Sequence, residues 1–243
     1  MHLKCLGSSS AGNCYLLTSN SGETLILDCG IPIKDIKKGL NWNIRNVVGC
    51  IVSHVHSDHS KSVKDFETMG IPVCKPYEAL LMNQFLANSY FTVRTFDLTT
   101  LDGRWTHTNG DGSECPCYGF LITHQEIGKM LYITDTELIK WRFKGINHIL
   151  LGTNYDKDLV NVDNQSKANH VFRGHLSIDT ACEFVKSNNS NDLQNVIMCH
   201  LSSENADSDS FIEKMKKVAC GANVDVAERN KEWLLANPNE CPF

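Results

Sequence analysis

The sequence predicts an α/β protein, and three observations carry that prediction. Apolar runs of strand length alternate with stretches of helical spacing along the whole chain. The run Val47-Val48-Gly49-Cys50-Ile51-Val52 is continuously apolar, the mark of a parallel-type strand covered on both faces, and Val63, Phe66 and Met69 follow it at helical spacing. Both halves of the chain repeat this βαβ rhythm with no linker between them, so residues 1–243 are expected to form one domain with a sizeable core.

The elements follow in order. Residues 2–6 read as a strand, 7–14 as a small-residue loop, and 15–18 and 24–27 as a hairpin turning at 20–23. Residues 31–41 place Ile33, Ile36 and Leu40 on one helical face, and a helix over 60–69 ends at Gly70. A short strand at 71–74 precedes a helix over 77–87, whose Leu and Met stripe reads as core packing. Strands follow at 91–97, 118–123 and 129–134; the polar stretch 98–117 holds His107, and the hairpin at 124–128 leaves His124 in solvent. Residues 137–144 read as a short helix, 146–151 as a strand and 158–170 as a polar, flexible insert. Arg173-Gly174-His175-Leu176-Ser177 opens a helix through Ala181, Phe184 and Val185. The strand 196–199, an amphipathic helix over 211–218 and a last strand at 223–227 complete the reading.

The formal net charge of -5 gives no global positive field to attract a polyanion. No apolar run approaches the ~20 residues that span a bilayer, and Met1-His2-Leu3-Lys4 runs straight into a strand without an export signal. The 11 cysteines therefore read as reduced thiols in a cytoplasm, several of them inside strand-like runs. Cys115-Pro116-Cys117 has one intervening residue and no second pair at zinc-ribbon spacing, which argues against a structural metal there.

His54-Val55-His56-Ser57-Asp58-His59 crowds four metal-capable side chains between the end of a strand and the start of a helix. Imidazole and carboxylate hold zinc and similar first-row divalent ions. Histidines one residue apart can grip one ion while the Asp-His pair faces a second. Asp135 closes another apolar strand, and His200 follows a third.

This His-x-His-x-Asp-His pattern resembles the signature of the metallo-β-lactamase fold superfamily. Leu6-Gly7-Ser8-Ser9-Ser10-Ala11-Gly12-Asn13, Gly174-His175-Leu176-Ser177 and His200-Leu201-Ser202 resemble its YycJ/WalJ-type branch, described as 5′-to-3′ DNA exonucleases. The resemblance covers nearly the whole chain and implies an αββα four-layer sandwich. It implies two divalent ions, with Zn²⁺ first and Mn²⁺, Fe²⁺ or Ni²⁺ tolerated. One ion takes His54, His56 and His107, favoured over His124; the other takes Asp58, His59 and His200; Asp135 bridges them. Asp28 supports the ligand loop through hydrogen bonds. Ser8 to Asn13, with Ser9 and Asn13 foremost, and Asn154 line the entrance, and Arg173 and His175 meet a phosphate at a helix start. Asp58 or the oxygen between the ions manages the proton of the attacking water, and His175 contacts the phosphate or protonates the leaving oxygen. Asn154 and Asp156 match a Glu-x-Asn-His-Asp-like motif of that branch, from which Gly152 and Tyr155 depart.

Enzymes that open β-lactams usually carry Cys where Asp135 stands and are exported. An oxygen-and-nitrogen site with a bridging carboxylate instead resembles the dinuclear phosphoesterases and thioesterases of the superfamily, and the matches at residues 7–13, 174–177 and 200–202 imply a phosphodiesterase, acting on nucleic acid and most specifically on DNA from a 5′ end. A small-molecule phosphodiesterase of cyclic-nucleotide type is the alternative, followed by a non-catalytic metal-binding module.

Overall fold

The computed structural model describes residues 1–75, 86, 89–161, 163, 168 and 171–237. Two six-stranded sheets carry the fold. In spatial order the first runs 232–234, 2–7, 14–18, 24–27, 47–51 and 73–74, and the second 223–226, 195–199, 148–152, 128–133, 118–124 and 92–97. In the first, β1 (His2–Gly7), β2 (Cys14–Thr18) and β3 (Thr24–Leu27) form an antiparallel meander. Then β4 (Val47–Ile51) and β5 (Val73–Cys74) continue in parallel. In the second, β6 (Thr92–Asp97), β7 (Tyr118–His124) and β8 (Gly128–Ile133) are antiparallel. Parallel strands β9 (His148–Gly152), β10 (Asn195–Cys199) and β11 (Asn223–Val226) follow.

Period-2 alternation sorts the strand side chains into three apolar layers. Tyr15, Leu17, Leu25 and Leu27 from the first sheet meet Met130, Tyr132, Leu150 and Ile197 from the second in a shared core. Their neighbours Leu131, Ile133, Ile149 and Val196 point outward, onto α4 (Ile178–Asn188) and α5 (Ser208–Lys216). On the other outer face Leu16, Ile26 and Cys50 pack on Ile36 of α1 (Ile33–Gly39) and Phe66 of α3 (Val63–Thr68). Helix, sheet, sheet and helix are the four expected layers.

Several expectations change. The helix expected over 60–69 is two: α2 (Ser57–Ser60), already within the histidine motif, and α3. Residues 137–144 are not helical; they form a strap whose donors find partners elsewhere. Phe143 N donates to Asn188 Oδ1 at 2.6 Å, and Trp141 Nε1 to Asp97 O at 2.8 Å. The strand ending at Val226 is not the last, because β12 (Glu232–Leu234) pairs antiparallel with β1 and covers its edge. His124 is buried against Phe91 rather than solvated, with ring centroids 4.8 Å apart. The helix expected over 77–87 lies outside the described residues apart from Leu86, as does most of the insert expected over 158–170.

Candidate metal centre

The polar cluster sits where several strands end, the position at which α/β sheets present side chains to ligands. Asp28 follows β3, His54 follows β4, Asp135 follows β8, Asn154 follows β9 and His200 follows β10. Asp28, Asp135 and His200 all hold left-handed backbone, at φ 55°, 46° and 55°. Non-glycine residues adopt that region at a cost, and such strain gathers where a side chain must be aimed.

The structure brings the predicted ligands together. His54, His56 and His107 offer nitrogens within 4.8 Å of one another; so do the donor atoms of Asp58, His59 and His200, of His54, His59 and Asp135, and of Asp135, His175 and His200. His56 Nδ1 lies 3.1 Å from His107 Nε2. Asp135 stands between the halves: its Oδ2 is 2.7 Å from His59 Nε2 and 3.9 Å from His54 Nε2. Its Oδ1 is 3.6 Å from His200 Nδ1 and 3.4 Å from His175 Nε2.

Four of the imidazoles are aimed from behind. His54 Nδ1 meets Ser53 Oγ at 3.1 Å, His59 Nδ1 meets Asp28 Oδ2 at 2.6 Å, and His107 Nδ1 meets Gly174 O at 3.0 Å. His56 Nε2 meets Asn109 Oδ1 at 3.0 Å. A partner on one ring nitrogen fixes the tautomer and turns the other toward the ion, as metal-ligating histidines require. Two glycines make the close approaches possible. A Cβ on Gly30 would sit 1.6 Å from Asp58 O, and one on Gly174 would sit 2.7 Å from His107 Nδ1.

The electrostatics fit a cation. Burial pushes the His54 imidazole well below its ordinary range and His107 down to about 4, so both stay neutral and able to ligate. Burial would raise the Asp135 carboxyl, but His200 and His59 outweigh it and hold it well below the usual range. Burial would likewise lower His59 and His200, yet Asp135, with Asp28 beside His59 and Asp58 beside His200, raises both. Protons on these two rings offset buried negative charge, the work a divalent ion does in their place. His54 Nε2 and Asp135 Oδ1, both buried and without a hydrogen-bond partner, face the same space, so the donor set fits a metal.

The predicted substrate residues divide. His175 joins the cluster. Asn13 does not line an entrance: it is buried, with Nδ2 donating to Ser9 O (3.0 Å) and Asp58 O (3.3 Å) and 3.1 Å from His59 Nε2. Ser9 is half-buried, its Oγ accepting from Ala11 N at 3.2 Å. Asn154 is buried too, with Nδ2 donating to His200 O at 2.9 Å. Arg173 is exposed, its carbonyl accepting from Thr108 Oγ1. The start of α4 is no open phosphate site. Ser177 Oγ accepts from Thr180 N, Ile178 N donates to Tyr155 O, and Asp179 occupies the first turn. Cys115 and Cys117 are buried free thiols outside the cluster, with Cys117 Sγ donating to Thr134 O.

Ser53, Asn109 and Tyr132 were missed, and Ser8, expected at the entrance, instead accepts from His200 N. Ser53 and Asn109 carried a weak signal as polar residues within two positions of a ligand histidine. Tyr132 reaches the site only through the folded chain.

Two β-sheets between helices, with a histidine-aspartate cluster at their strand ends, define a metal-dependent hydrolase class. The chain belongs to the metallo-beta-lactamase superfamily, whose sequence profile matches residues 9–153. It is 25% identical over 225 residues to the exodeoxyribonuclease YycJ of Bacillus anthracis, covering 84% of each chain. Among solved structures it is similar to the metallo-beta-lactamase fold protein YhfI of Bacillus subtilis, with TM-score 0.64, 17% identity and coverage of 96% and 98% of the two chains. It is also similar to unliganded PDE1 of yeast, with TM-score 0.65, 11% identity and coverage of 95% and 98%.

Proposed function

We propose that this chain, acting as one domain, is a phosphodiesterase with two divalent ions, most specifically a 5′-to-3′ exonuclease on DNA. The observation that carries the reading is His175, whose Nε2 faces Asp135 Oδ1 at 3.4 Å and so stands beside the place of reaction. A phosphodiester needs charge neutralisation on its non-bridging oxygens and a proton for its leaving oxygen, and this cluster offers both. The 25% identity to a relative named as an exodeoxyribonuclease supports DNA as the substrate.

His54, His56 and His107 would hold one ion, and Asp58, His59 and His200 the other, with Asp135 between them. When bound, the ions, zinc foremost, supply Lewis acidity toward water and phosphoryl oxygen. The protein's own part is positional. Asp28, Ser53, Asn109 and Gly174 O lock the imidazoles, Asp58 takes up the proton of the attacking water through the carboxyl oxygen that would not hold an ion, and His175 Nε2 delivers one to the leaving oxygen as the phosphorus–oxygen bond breaks. The buried thiols support a reducing, cytoplasmic setting.

A small-molecule phosphodiesterase is the second reading. The formal charge of -5 favours it over a long polyanion, and Tyr155 is buried where the exonuclease-like branch carries His. A side-by-side assay separates the two. With added Zn²⁺ or Mn²⁺, 5′-phosphorylated single-stranded DNA should lose nucleotides stepwise, and His56→Ala should not act. Cleavage of a cyclic mononucleotide alone would replace the first reading with the second. Neither activity, with two ions bound, would remove both.

A further inference from the structure

The loop between β1 and β2 was expected to face the substrate, yet Ser10 and Ala11 are exposed while Ser8 and Asn13 turn inward onto two ligands from opposite sheets. Asn13 N donates to Asp58 O at 2.7 Å, bracing the ligand carried by the first sheet. Ser8 Oγ accepts from His200 N at 3.0 Å, bracing the ligand carried by the second, across 192 positions of sequence. We propose that Ser8 is a positioning residue for His200, and that the Gly7-to-Asn13 loop clamps together the two halves of the second ion's site. The inference rests on the two-ion reading above.

The backbone of His200 calls for such a brace. It leaves β10 in left-handed backbone, at φ 55°, a region open to most side chains only when the surroundings impose it. Its carbonyl is held by Asn154 Nδ2, and its amide would otherwise be a buried donor without a partner. Ser8 supplies that acceptor, and is itself held: the fully buried Tyr15 donates its O–H to Ser8 Oγ at 2.9 Å. Both lone pairs of the serine oxygen are thus engaged, which fixes its position against rotation. With the amide and carbonyl both anchored, His200 Nε2 stays 3.5 Å from Asp58 Oδ2, where one ion can join them. An alanine at position 8 would leave the His200 amide unsatisfied, free the left-handed turn to relax and swing the imidazole away from Asp58.

The test is a Zn²⁺ titration of the full-length protein against a chromophoric chelator, with the visible spectrum of the Co²⁺ form as a second readout. Wild type should take up two ions. Ser8→Ala should keep the first ion at wild-type affinity and weaken the second by ~10–100-fold, the usual effect of losing a group that orients a ligand. Its Co²⁺ spectrum should lose the contribution of the second site, and Ser8→Thr, which retains the hydroxyl, should restore both readouts. Equal affinity for both ions in wild type and Ser8→Ala would overturn the inference and leave the two-ion reading standing. A single ion in wild type would remove that reading, and this inference with it. If Ser8→Ala does not fold, Tyr15→Phe decides by the same titration. A selectively weakened second ion supports the clamp, and an unchanged one overturns it.

Discussion

Tyr132 O–H donates to Asp28 Oδ2 at 2.5 Å, joining the second sheet to the first directly beneath the metal cluster. Asp28 also accepts from Ser53 N at 2.7 Å and Ser53 Oγ at 2.9 Å, and its Oδ2 meets His59 Nδ1 at 2.6 Å. The carboxylate is fully buried, so each of these donors offsets its desolvation. Tyr132→Phe should therefore cost about 1–3 kcal/mol of stability, the value of a hydrogen bond to a buried charge. Urea denaturation measures it, and a loss near zero would show that Ser53 and His59 satisfy Asp28 without the tyrosine.

His56→Ala and Asp135→Ala should each reduce hydrolysis by ~10²–10³-fold or more, the scale of losing one preorganised charge contact at the reacting centre. Bound metal should fall with activity. Unchanged turnover in either variant would end the two-ion reading, because these side chains lie in different ligand groups.

His175→Ala should behave differently. It should retain its metal and lose ~10²–10⁴-fold in rate, the range for removing a general acid. A leaving group of low pKa needs no such proton, so a nitrophenyl phosphodiester should recover most of the loss. Loss of an ion would instead make His175 a ligand, as its place beside Asp135 and His200 allows.

Replacing Cys115 and Cys117 together by Ser should leave metal content at its wild-type value. Metal analysis showing one equivalent fewer would mean that these buried thiols bind an ion after all.

His148 gives a pH dependence far from the metals, at the opposite end of its strand. Its Nε2 lies 3.1 Å from Ala236 O, and its Nδ1 2.9 Å from Asn195 Nδ2. Burial pushes its imidazole down to about 4 from an ordinary value of 6.5. Between those two values the unfolded chain binds the proton and the folded chain does not, so stability rises with pH across that window. Its contribution is complete above about 6.5 and falls by roughly 2–3 kcal/mol as the pH drops toward 4. Denaturation curves at several pH values should show this, and His148→Gln should flatten that part of the profile. Equal slopes in the two proteins would assign the effect to other groups.

The sequence by itself determined the α/β class and the identity of the metal-capable side chains. The first follows from apolar alternation, which is local and survives translation into any β-strand. The second follows from spacing: His54, His56, Asp58 and His59 share one short turn, so no distant contact is needed to gather them. Residues 137–144 show where local reading fails, because the partners that hold this strap, Asp97 and Asn188, come from β6 and α4. The same reason governs the site. Only the tertiary structure turned Asn13 and Asn154 from substrate residues into braces, closed the start of α4 to phosphate, and set His175 against Asp135. It alone joined Tyr132 to Asp28 and Ser8 to His200. Those contacts span 104 and 192 positions, and a hydrogen bond at such separation depends on how two sheets pack face to face, which no local pattern of residues encodes.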